Sequence, residues 1–159
     1  MKLAVGLFAL LVAFVLQGQF ADRIAPSADW RPDFLFAVVL LAALYLPGRS
    51  LPVIAFLGGM LEGVLLGMSF GGFIVSRLVA ALVASLLVEP LQINAAVTFG
   101  VGVFAAAVGQ LIFLLVQPTS EIVWWLNAAV RQSVLIGVLV TALAPLAAKI
   151  RDSTLLDEV

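Results

Sequence analysis

Six apolar runs separated by short polar breaks make up most of this chain, and few folds are open to such a pattern. The runs are Leu3 to Ala21, Phe34 to Leu46, Leu51 to Met68, Phe73 to Val88, Ile93 to Val116 and Ile122 to Ala148. A helix of about 20 apolar residues crosses a hydrocarbon core of about 30 Å, and helices satisfy their own backbone there. Composition points the same way. With 64% hydrophobic and 11% charged residues, there is too little polar surface to coat a water-soluble globule. The same apolarity excludes disorder. A formal net charge of −1 gives no basic footprint for a nucleic-acid partner. The expected fold is an all-α, polytopic bundle of six transmembrane helices. Residues 1–150 form one domain and 151–159 a short cytoplasmic tail.

The second run is the short one. Its residues rise only about 20 Å as helix, less than the core thickness. It crosses if its flanking charges snorkel or the bilayer thins locally, and the alternative is a re-entrant segment with five crossings. Charge placement favours six. Lys2, Arg49, Lys149 and Arg151 then share one side, while Arg23 and Arg31 take the other. The positive-inside rule puts both termini in the cytoplasm. Trp30, Trp124 and Trp125 fall at outer helix ends, as an interfacial belt requires. The first run follows Lys2 as a signal peptide's would, but it exceeds a typical h-region and lacks a clean small-x-small cleavage site. A retained first helix is expected.

Lipid is as apolar as leucine, so such helices associate through small residues and interhelical polar bonds. Ala9 and Ala13 make a small-xxx-small pair on the first helix, and Gly59 and Gly63 another on the third. Pro145 is expected to kink or end the last helix. Charges inside the spans are the informative residues, because each costs at least about 3 kcal/mol at mid-bilayer and seeks a partner in the bundle interior. Glu62 and Arg77 sit roughly 10 Å below the same outer turn, on antiparallel neighbours. Gln110, Asn127 and Arg131 lie at similar depths on the fifth and sixth spans. Convergence of Glu62, Arg77, Gln110, Asn127 and Arg131 in the outer half is therefore expected, as a structural or partner-binding cluster. Two arginines against one glutamate would leave a positive excess needing carbonyls, water or an acid from elsewhere.

No catalytic constellation emerges. Without His there is no base for Ser76, Ser85 or Ser133, and Lys2 and Lys149 lie at the membrane edge. Glu62 is the only acid well inside a span, so no carboxylate dyad forms. The absence of Cys excludes thiolate metal sites. Asp33 after Pro32 reads as a helix start, with proline in the first turn and a carboxylate at the positive dipole end. No catalytic, cofactor or metal site is expected.

Pro32-Asp33-Phe34-Leu35-Phe36, together with the glycine-rich segment from Leu57 through Glu62 to Gly67 and on to Gly71, resembles the pattern of the rod shape-determining protein MreD family. That pattern has a Pro-Asp opening the second helix. An acidic residue follows on a glycine-rich third helix, and a Ser/Gly turn, here Ser69-Phe70-Gly71-Gly72, leads into the fourth. The motif residues are Pro32, Asp33, Gly59, Glu62 and Gly71; the family more often has Asp at the position of Glu62. The resemblance implies a non-enzymatic component of the bacterial inner membrane that supports peptidoglycan synthesis and cell shape. Its direct partner would be MreC, docked through transmembrane contacts and the Ala25–Asp33 loop, within a complex holding MreB, RodA and a penicillin-binding protein. It also implies a fold similar to the membrane substrate-binding subunits of energy-coupling-factor vitamin transporters. Such a subunit is the alternative function, since Ala9 and Ala13 resemble the small-residue motif by which those subunits dock. The short outer loops weigh against a vitamin site.

Overall fold

Every apolar run folds as helix. The computed structural model describes residues 2–25, 30–46, 48–67 and 70–156. The helices are α1 (Lys2–Gln19), a short α2 (Ala21–Ile24), α3 (Phe34–Tyr45), α4 (Leu51–Leu66), α5 (Phe70–Val88), α6 (Ala95–Val116) and α7 (Ile122–Leu156). The result is an all-α helix bundle. Among the described residues, three helical stretches are long and apolar enough to cross a membrane: Phe70–Val88, Ala95–Val116 and Ile122–Asp152. α1, α3 and α4 are apolar but shorter.

α3 is the hub. It is apolar on every side, and a helix of that kind must be buried all round. Leu35, Phe36, Ala37, Val39, Leu40 and Ala43 accordingly have no or almost no exposed surface. α1, α4, α5, α6 and α7 all pack on it. Large apolar side chains such as Phe8, Leu86, Phe104, Leu115, Val123 and Val130 point outward, the inverse of a soluble protein.

Small residues set the helix spacings. A Cβ on Gly59 would lie 2.7 Å from the Ile74 Cα and the Phe73 carbonyl oxygen, so α4 and α5 touch backbone to backbone. Gly63 continues that seam against Phe70. Ala13 is buried in the core and Ala9 is half-buried, both lining a groove between α1, α3 and α7.

Three expectations change. The turn after α4 is made by Gly67, which ends the helix in the left-handed conformation (φ 61°). Phe70, Gly71 and Gly72 therefore belong to the first turn of α5 instead of a loop, and Ser69 lies outside the described residues. Pro145 does not end α7, which runs unbroken for 35 residues. Neighbouring helices tolerate a proline in such a span, whose loss is one backbone bond. The helix also carries on into the expected tail as far as Leu156; 157–159 lie outside the described residues.

Candidate functional site

The site is built around Arg77, on the face of α5 turned toward α3 and α4. Its side chain is 2% exposed, and among the largest fully buried residues it heads the order by volume. A guanidinium in such a place needs acceptors for a planar fork of donors. Nε donates to Glu62 Oε2 at 2.7 Å, and Nη2 donates to Glu62 Oε1, making the pair bidentate. Nη2 also donates to Asp33 Oδ2 at 3.0 Å, and Nη1 to Ser76 Oγ at 3.0 Å. The Phe36 ring lies beneath, with Arg77 Cζ 3.7 Å from its centroid. Stacking and a fork-shaped carboxylate pair are the two contacts that lysine reproduces worst.

Two of these partners, Asp33 and Ser76, carry a second bond into the backbone. Asp33 caps α3, its Oδ1 accepting from the Phe36 N–H at 2.8 Å, while its other oxygen holds Arg77. Ser76 donates onward to the Gly109 carbonyl of α6 at 2.8 Å. Gly109 has no side chain because Phe36 Cζ, 2.8 Å from where a Cβ would stand, already fills that space. Gln17 of α1 accepts from the Phe34 N–H at 2.7 Å. Two side chains thus satisfy the first free N–H groups of α3, which an apolar setting would otherwise leave unpaired at a cost of about 1–3 kcal/mol each. One node joins α1, α3, α4, α5 and α6.

Of the expected cluster, the structure brings together Glu62 and Arg77. Gln110 is half-buried on α6, one residue past Gly109, and forms no part of the Arg77 group. Asn127 and Arg131 are exposed on α7, where Asn127 donates to the Val123 carbonyl of its own helix. The five-residue convergence is therefore corrected to a different set: Glu62, Arg77, Asp33, Ser76 and Gln17. Residue rise fixes depth, but not the direction in which a side chain leaves its helix. At matched depth, α7 turns these two residues outward.

The charge count reverses with the membership. Two carboxylates, Asp33 and Glu62, face one guanidinium, so the excess in the node is of acceptors. Asp33 was legible only as a cap. Its signal as a counter-ion was the second run itself: a helix apolar on every side is buried from its first turn, and takes the acid at its start with it.

Between α2 and α3, Arg31 Nε lies 2.9 Å from Asp22 Oδ1, an ion pair without hydrogen-bond alignment. Of the Ala25–Asp33 loop, 26–29 lie outside the described residues. Compared with family models, curated proteins and solved structures, the chain matches none.

Proposed function

We propose that this protein is a non-enzymatic scaffold of the bacterial cell-elongation complex, resident in the inner membrane and binding MreC. In this reading α1 and α3 to α7 each cross the bilayer, with both termini cytoplasmic. α3 crosses despite its length because the chain before it descends into the bundle, ending at buried Pro32 and Asp33. MreB, RodA and a penicillin-binding protein complete the assembly around it.

One observation carries the reading. Pro32, Asp33, Gly59 and Glu62, residues of the MreD-like pattern, gather at a single place. Asp33 and Glu62 hold Arg77, Pro32 leads into the Asp33 cap, and Gly59 lets α5 approach one turn before Glu62. Gly71 lies apart, with open space where its Cβ would be. The node's polar groups are spent on one another, which suits a framework that holds shape for a partner better than a pocket that recognises a polar solute.

Co-purification tests it. Expressed with MreC, the chain should be recovered as a stoichiometric complex, and replacing the Ala25–Asp33 loop by a Gly/Ser linker should weaken that recovery. Recovery alone, carrying one equivalent of a bound vitamin, would instead favour a transporter subunit.

A further inference from the structure

α1 and α7 both pack on α3 but leave a groove of about 270 Å³ between them. Its walls are apolar along their whole length, from Val5 to Leu16 on α1, Phe34 to Leu46 on α3 and Leu143 to Ile150 on α7. Two features restrict what fills it. The first is length: the step from Val5 to Leu16 rises about 16 Å, half of a hydrocarbon core of about 30 Å. A crossing helix needs the full thickness; an acyl chain from one leaflet needs half.

The second is charge at one end only. The groove ends at Leu46 and Ile150, where Arg49 and Lys149 are exposed. The Arg151 guanidinium sits 5.9 Å from the ring of Tyr45, at the end of α3. Asp152 tempers this, its carboxylate 3.1 Å from Arg151, and leaves the local balance positive. At the other end, Leu16 and Phe34 adjoin the closed node, where Gln17 holds the Phe34 N–H. An apolar slot one leaflet deep with basic groups at its mouth matches the chemistry of a phospholipid with an anionic headgroup.

We infer that the groove between α1, α3 and α7 holds one acyl chain of an anionic phospholipid of the cytoplasmic leaflet, its headgroup met by Arg49, Lys149 and Arg151. This rests on the proposed orientation, with both termini cytoplasmic, and not on the identity of the protein partner. A lipid so placed would fill the gap between two helices that touch α3 but scarcely each other.

Native mass spectrometry of the purified chain alone tests it, with palmitoyl-oleoyl phosphatidylglycerol and phosphatidylcholine as probes. One phosphatidylglycerol should be retained about tenfold or more over phosphatidylcholine, since each basic residue near an anionic surface contributes about a fivefold preference. Arg49→Gln with Lys149→Gln should bring the two lipids close to parity. Ala9→Phe, which fills the groove from a half-exposed position, should abolish retention of both. Equal retention of the two lipids by the parent would overturn the inference, as would unchanged phosphatidylglycerol retention by Ala9→Phe. Should Ala9→Phe not fold, the exposed Arg49/Lys149 pair decides alone. If Ala9→Phe keeps its lipid but no longer recovers MreC, the groove is a partner-helix site and the lipid assignment fails. Equal retention of the two lipids by a parent that still recovers MreC would refute this inference and leave the scaffold reading standing.

Discussion

Arg77 is placed where only an arginine serves. Its fork spans Glu62, reaches Asp33 and Ser76, and sits over Phe36, so geometry and charge are used together. Arg77→Lys keeps the charge but loses the bidentate pair and the stack. It should lower stability by about 1–3 kcal/mol, the cost of leaving a buried acceptor short of a donor, and thermal unfolding in detergent measures this. Ser76→Ala removes the link from Arg77 to the Gly109 carbonyl and should cost about 1 kcal/mol, visible in the same assay. At this scale the sequence revealed the Glu62–Arg77 pairing because opposite charges inside spans seek each other. It did not reveal Asp33 as the third member. A residue at a helix start is read as exposed unless the helix that follows is recognised as buried on every side.

Helix by helix, α3 depends on groups it does not own. Its first N–H groups rest on Gln17 and Asp33, so Gln17→Ala should fray its first turn and cost about 1–3 kcal/mol. Faster hydrogen exchange at Phe34 would report that fraying; unchanged protection there would mean the bond contributes little. Gly59→Leu forces α5 away from α4, since the atoms facing the missing Cβ are backbone and cannot rotate aside. The variant should lose about 1–3 kcal/mol or more and loosen the Glu62–Arg77 pair with it. Apolar run length made the helices legible nearly to their ends. Turns were less so: Gly67 ends α4 in its left-handed conformation and α5 is under way by Phe70, sooner than a glycine-rich stretch implies. The outward rotation of Asn127 and Arg131 was not legible at all, because a helix apolar on most faces carries only a weak signal of which face is buried.

Across the whole molecule, α1 and α3 to α6 are tied by one buried polar centre and sealed by small-residue seams, while α7 is held by apolar packing and by the close Gly102–Gly137 approach. The six-pass reading is open to direct mapping, since the chain has no native cysteine. Asp22→Cys and Ser120→Cys should react with an impermeant thiol reagent from outside, and Glu89→Cys and Asp152→Cys only after permeabilisation. Labelling of residues 120 and 152 from the same side would refute it. Whether Arg77 and its two carboxylates form the structural centre is read from the Tm of Arg77→Met beside that of the triple variant Arg77→Met, Glu62→Gln, Asp33→Asn. Breaking a buried ion pair from one side costs about 3–5 kcal/mol, whereas neutralising all its members costs far less. The single change should therefore lower Tm sharply and the triple should recover more than half of the loss; an Arg77→Met protein as stable as the parent, or a triple variant no better than the single, would mean that the Arg77 group is not what holds the bundle together.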